Sequence, residues 1–148
     1  MPKADEIRLV KDTFPEIRDM AIPVSLLFYG RLFDLDPSLR ALFKIDMTSQ
    51  SEKLMAMVDS VVASLDSFDE VRPALRELGR RHVDYGVKEA HYATLASAFV
   101  WAVGQALDGG SSPDVRDAWN AVLAEISREM LSGAADAAGA PGAPDAPG

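Results

Sequence analysis

Apolar side chains recur every three or four positions through most of this 148-residue chain, and no strand-like alternation competes with them. That period gathers them on one side of an α-helix, whereas a half-buried strand needs a period of two. The chain is therefore expected to be all-α. Ile7, Val10, Phe14 and Ile17 mark a first helix, with Pro15 inside it as a source of bending. A second helix is predicted from Pro23, a residue suited to a first turn, to Phe33, with Ile22, Leu26, Tyr29 and Phe33 on one face. Asp36-Pro37 reads as a cap and first helical residue opening a short turn over 38–43, and 44–49 reads as a connector. A long helix follows over 50–65, with Leu54, Met57, Val58, Val61, Val62 and Leu65 inward. Pro73 opens the next helix and Gly86 ends it. Two more are predicted over 88–107 and from Pro113 to about Met130, the last with Val115, Trp119, Val122 and Ile126 on one face.

Composition limits what such a chain does. At this length it is one domain, large enough to bury most of its unfolded surface. The net charge of −8, from 23 acids and 15 bases, argues against a nucleic-acid or anionic-membrane partner. The absence of cysteine rules out disulfides and thiolate-held metals and fits a reducing compartment. Residues 1–18 mix Lys, Arg, Asp and Glu with no apolar signal core, so a cytoplasmic location is expected. The longest uncharged run, 92–107, is 16 residues, shorter than the roughly 20 needed to span a bilayer. Beyond 131 only Ala, Gly, Pro, Ser and Asp occur. This predicts a folded domain over 1–131 and a disordered tail over 132–148.

His82 is one of only two histidines, and it shares an apolar helical stripe with Leu75, Leu78 and Tyr85. A histidine there is either a core residue hydrogen-bonded to a backbone carbonyl or a metal ligand, since neutral imidazole is a good ligand for iron. Tyr29 reads equally as a core tyrosine or a hydroxyl donor, Gln50 as a polar residue near a helix start or an amide donor, and Phe43 as an ordinary core aromatic.

Their common register narrows these choices. Leu27-Phe28-Tyr29-Gly30-Arg31-Leu32-Phe33 precedes Asp36-Pro37-Ser38-Leu39-Arg40-Ala41-Leu42-Phe43, and Phe43 follows Tyr29 by 14 positions. His82 follows Gln50 by 32 positions, within Gly79-Arg80-Arg81-His82-Val83-Asp84-Tyr85-Gly86-Val87, and Tyr92 comes shortly after. These motifs resemble the globin family, in particular bacterial single-domain globins and the globin domain of flavohaemoglobins. The stretch around His82 is also similar to neuroglobin. The resemblance spans about residues 5–131.

It implies a globin fold of six to seven helices around a pocket for haem b, iron protoporphyrin IX. By the same resemblance His82 is the proximal iron ligand and Phe43 stacks on the porphyrin. Tyr29, Gln50 and Leu54 face the bound gas, and Val58, Leu78, Val87, Tyr92, Leu95 and Phe99 complete the cofactor wall. His91 matches a non-ligating surface position. The expected small ligands are O2, NO or CO, bound reversibly for transport or storage. Alternative readings are an NO dioxygenase and a gas or redox sensor.

Departures from the family pattern bear on that choice. Gln50 stands where neuroglobin has a distal histidine, so a bis-histidine iron is not expected. No glycine-rich dinucleotide fingerprint is present, so catalytic turnover would call on an outside reductase. Flavohaemoglobins back the proximal histidine with a tyrosine and a glutamate. Tyr92 matches the tyrosine, but the glutamate place falls on Ala134, with Glu125 and Glu129 the nearest acids and out of register.

Overall fold

Six α-helices make up the body of the chain: α1 (Ala4–Asp19), α2 (Ala21–Leu35), α3 (Met47–Ala63), α4 (Arg72–Asp84), α5 (Glu89–Ala106) and α6 (Pro113–Gly139). Short 3₁₀ turns at Pro37–Leu42 and Leu65–Glu70 join α2 to α3 and α3 to α4. These coordinates are a computed structural model, which describes residues 2–43, 46–107 and 109–139, with no strand among them. None of the helices is long and apolar enough to cross a membrane.

Local chemistry fixes most helix ends. Asp46 caps α3, its carboxylate accepting the Ser49 N–H at 3.0 Å and the Ser49 hydroxyl at 2.9 Å. Those two bonds, the backbone one first, hold the Asp46 carboxyl below its usual range. Of the expected 44–49 connector, Asp46 is thus a cap and Met47 already helical, while residues 44 and 45 lie outside the described residues. Pro73 falls in the first turn of α4, where its missing N–H leaves no bond unmade. At the other end the Val87 N–H reaches the His82 carbonyl at 2.9 Å and the Gly86 N–H reaches Val83 at 3.1 Å. Gly86 takes φ +89°. That paired reversal stops α4 one turn after His82.

The core joins all six helices. Val10, Phe14 and Ile17 of α1 meet Trp119, Val122 and Ile126 of α6, as their spacing predicts. The Trp119 indole N–H donates to the Thr13 hydroxyl at 2.9 Å, and Thr13 in turn donates to the Leu9 carbonyl at 2.8 Å. α2 crosses α5, and its buried side is Val24, Ser25, Phe28, Tyr29 and Leu32. The predicted face is corrected here: Ile22 and Leu26 are exposed, at 47% and 56%. α2 is apolar nearly all round, so periodicity alone could not select the inner side.

α4 leans on α6, and the contact is unusually close. A Cβ on Gly79 would lie 2.6 Å from the Met130 Cα, and one on Gly133 would lie 2.7 Å from the Arg76 Cα. Two glycines therefore let two helix backbones touch. Beside this crossing, Arg72 donates to Glu125 at 3.2 Å and to Glu129 at 2.8 Å, and Arg76 reaches Glu129 at 3.4 Å. Both carboxylates are buried. The expected helix end near Met130 is corrected accordingly. α6 continues through Gly139, with Gly133 buried against α4, because alanine is the strongest helix former and needs no bulk to extend a helix already anchored. Residues 140–148 of the predicted tail lie outside the described residues.

Candidate functional site

A cavity of about 710 Å³ opens between α4 on one side and α2 and α3 on the other, floored by α5 and α6. That volume suits a drug-sized or cofactor-sized ligand, roughly 300–1,000 Å³. All eleven residues singled out from sequence line it. Tyr29 comes from α2, and Gln50, Leu54 and Val58 come from successive turns of α3. Phe43 closes the 3₁₀ turn, and Leu78 and His82 project from α4. Val87 follows the α4 stop, and Tyr92, Leu95 and Phe99 rise from α5.

The two histidines both line this cavity, and their hydrogen bonds set them apart. His82 Nδ1 lies 2.7 Å from the Leu78 carbonyl oxygen. A carbonyl only accepts, so Nδ1 carries the proton and Nε2 keeps a free lone pair. Burial lowers the His82 pKa from its ordinary 6.5, only partly opposed by the Leu78 bond, so the ring is neutral at pH 7. His91 is the reverse. Its Nδ1 accepts the Lys88 N–H at 3.0 Å, capping α5, and in the neutral ring the proton then sits on Nε2. His91 is partly buried and lines the cavity at its rim, where it caps the start of α5.

Tyr29 is 3% exposed, and its hydroxyl faces the Gln50 carbonyl oxygen at 3.4 Å. That separation exceeds the ordinary range for O–H···O, so the bond is weak and the proton is available to a better acceptor. Burial, in part offset by the Gln50 side chain, drives the phenol pKa well above its usual value. The phenol is therefore a donor that stays protonated. Its ring meets Phe43 edge-on at 5.4 Å and Phe28 at 4.9 Å. Phe28 continues the aromatic contact to Phe99 at 5.8 Å, and Phe99 to Trp119 at 5.7 Å. This packing fixes the tyrosine's approach to the cavity.

Polar groups otherwise gather at the rim, where Lys53 and Arg81 are exposed beside Asp84. The sequence reading did not assign Arg81 or the α6 floor, Leu123, Ile126, Ser127 and Met130. The floor's three- and four-residue spacing, in step with the Trp119 stripe, was the available signal. Glu125 and Glu129 are paired with arginines, Glu125 with Arg72 and Arg128 and Glu129 with Arg72 and Arg76. Behind the His82 ring stands the neutral Leu78 carbonyl, not a carboxylate.

Among the described residues, no three His, Asp or Glu side chains gather into a metal-binding group. A metal in this cavity would depend on ligands brought by a cofactor, with His82 Nε2 as the protein's own donor. The observed donor and the largely apolar walls fit a haem.

Comparison with known proteins agrees. The sequence profile named Globin matches residues 26–130. A flavohemoprotein of Bacillus subtilis is 26% identical over 118 residues, covering 76% of this chain but only 29% of that protein. The chain thus spans about a third or less of the flavohemoproteins it matches. A neuroglobin of Tetraodon nigroviridis is 26% identical, covering 88% of this chain and 93% of its own. Among solved structures, a bacterial globin from Campylobacter jejuni superposes with a TM-score of 0.80 at 18% identity, covering 90% of this chain and 97% of the other. An engineered carbene transferase from Rhodothermus marinus, described as a candidate nitric oxide dioxygenase, superposes with a TM-score of 0.83 at 20% identity, covering 92% and 95%. The chain belongs to the globin family, whose members hold a haem and bind small gases.

Proposed function

We propose that the chain holds one haem b through His82 and binds O2 reversibly, with NO and CO as further ligands. The observation that carries this reading is the contrast in hydrogen bonding of two histidines on one cavity: His82 Nδ1 faces the Leu78 carbonyl, which leaves Nε2 as the acceptor, whereas His91 Nδ1 accepts the Lys88 N–H. When bound, haem supplies the iron at which a diatomic gas is held. The chain's own residues supply the rest. Leu78 fixes the tautomer and orientation of the His82 ring. Phe43, Leu54, Val58, Val87, Leu95 and Phe99 keep water out and the dielectric low. Lys53 and Arg81 place cations at the rim for the two carboxylates of the cofactor. Tyr29 donates its protonated hydroxyl to a gas that carries partial negative charge, and Gln50 is the second donor.

The test is hemin titration followed by absorption spectra of the oxidised, reduced and CO-treated protein. One haem per chain is expected. His82→Ala should abolish or alter the spectrum, and His91→Ala should keep the wild-type spectrum. Equal effects of the two substitutions would overturn the assignment.

A second reading is NO dioxygenase activity with an outside reductase, favoured by the likeness to flavohemoproteins and to the R. marinus protein. The neutral Leu78 partner of His82 weighs against it, since a carboxylate behind the imidazole would make it a stronger electron donor. Sustained NO consumption on adding a flavin reductase and nicotinamide would reverse the preference.

A further inference from the structure

A helix with one side in water normally carries charged residues on that side. α5 departs from this. Of its 18 residues only Glu89, the first, is Lys, Arg, Asp or Glu, although those four types make up 26% of the chain. Its outward residues include Ala93, Ser97 and Trp101, spaced by four and therefore in line on one face. Asn120 and Ala124 are the exposed neighbours on α6. Between the two helices runs an open groove of about 900 Å³, and Ala93, Ser97, Asn120 and Ala124 are among its walls. Their short side chains leave it unfilled. Trp101 stands out one turn along from Ser97, 36% exposed, with the Arg31 guanidinium over its ring at 5.2 Å. That stacking holds the indole in one pose. A protrusion and a hollow thus adjoin on a single uncharged face.

We propose that this face is the interface of a weak homodimer, in which a two-fold axis seats the Trp101 of each copy in the α5–α6 groove of the other. Two-fold symmetry makes every contact reciprocal, so a ridge and a hollow on the same face complete each other without a second kind of protein. Tryptophan is among the side chains that most often carry the energy of an interface, and a groove of small residues gives it a place to leave water. Charge favours this face as well. Each copy has a net charge of −8, and α5 brings almost none of it to the contact. Area sets the strength. At 1.5 Å per residue α5 is about 27 Å long, and two helices side by side are about 20 Å across. The flat footprint is roughly 500 Å² on each copy and about 1,000 Å² for the pair, the lower bound for a specific interface. The dimer is therefore reversible and forms at roughly tens to hundreds of micromolar chain. It needs no cofactor.

The experiment is sedimentation velocity of the full chain, haem-free and haem-loaded, over a hundredfold range of concentration at physiological salt. The mass is expected to rise from one chain toward two. Trp101→Ala removes the protrusion, and Ala93→Glu sets like charges against each other in the groove. Each should weaken association about tenfold or more, with an unchanged circular dichroism spectrum. Leu26→Glu on α2 and Val83→Glu on α4 alter exposed apolar residues of other helices and should leave it as in wild type. A single chain mass at every concentration overturns the proposal. So does association that Ala93→Glu leaves intact, and so does growth past two chains, which a closed two-fold forbids. A chain that dimerises only after residues 140–148 are removed shows the groove to be taken by its own end and overturns it too. Should the variants misfold, Ser97→Cys supplies the only thiol in the chain for a spin label. Dipolar coupling between copies that fades on dilution supports the interface, and no coupling at the highest concentration overturns it.

Discussion

Replacing Gly79 with alanine adds one methyl group where α4 meets α6, and the expected outcome runs against helix propensity. In an open helix that change gains about 0.5–1 kcal/mol, because glycine gives up more backbone freedom on folding. At Gly79 the new carbon would stand 2.6 Å from the Met130 Cα, with the Met130 carbonyl carbon and oxygen closer still. Carbon atoms pack at about 3.5–4.0 Å, so the helices must part by about 1 Å. The obstacle is backbone, which has no rotamer in which to withdraw. Overpacking of this kind costs about 1–3 kcal/mol and more where relief is blocked, so a net loss of about 3 kcal/mol is expected. For a chain of this size that is roughly 6–12 °C in melting temperature. Gly30, inside α2, is the internal control. A Cβ there meets nothing within 4 Å, and Gly30→Ala should raise the melting temperature by a degree or more. The assay is thermal unfolding by circular dichroism on haem-free and haem-loaded protein, with the iron–histidine stretch as a second readout. Gly79→Ala should move that stretch, since His82 rides on the same helix, and Gly30→Ala should not. A Gly79→Ala protein as stable as wild type, with an unmoved stretch, would refute the close crossing and the role given to it.

Tyr29→Phe should raise the O2 dissociation rate about 10- to 100-fold, the worth of one hydrogen bond to a partly charged acceptor, and leave CO dissociation nearly unchanged; stopped-flow displacement decides, and a parallel rise would indicate a change of pocket shape instead. In the haem-free protein the His82 pKa lies below the unfolded value of 6.5, so its contribution to stability is full above pH 6.5 and is lost as the pH falls through the folded value. Urea midpoints between pH 7 and 5 should therefore fall more for wild type than for His82→Gln, and parallel curves would contradict the sign. Glu129→Gln should cost about 2 kcal/mol, because a buried carboxylate bonded to two arginines is replaced by a neutral amide; a urea midpoint within error of wild type would show the cluster to be ornamental. Truncation after Leu131 should lower the melting temperature, because it removes Gly133 from its contact with α4, and an unchanged value would restore the earlier domain boundary.

What could be read from sequence depended on how strongly each feature left a periodic trace. The buried stripes of α1, α3 and α6 follow the spacing, and the cavity residues share one register; in α4 the stripe holds only in part, since Leu75 is buried but Tyr85 is 51% exposed. α2 failed because its apolar residues face every direction, and only contact with α5 shows that Phe28 and Leu32 point inward while Leu26 does not. The end of α6 failed for a different reason. Alanine-rich sequence carries no burial signal, and the use of Gly133 is to lack a side chain, which a search for large apolar groups passes over. The 3₁₀ turn at Leu65–Glu70 is too short to show a period.

Trp119 has a use that packing alone does not suggest. It is 1% exposed and lies behind Phe99, a wall residue of the cavity, at 5.7 Å between rings. The other tryptophan, Trp101, is 36% exposed beneath the Arg31 guanidinium. One indole is therefore dry and the other half-wet, and their emission should separate into a blue and a red component. A visible-absorbing ring seated against Phe99 would drain the blue component by energy transfer, and its departure would restore the light. The chain carries its own optical gauge of cavity filling, readable in dilute solution without a label.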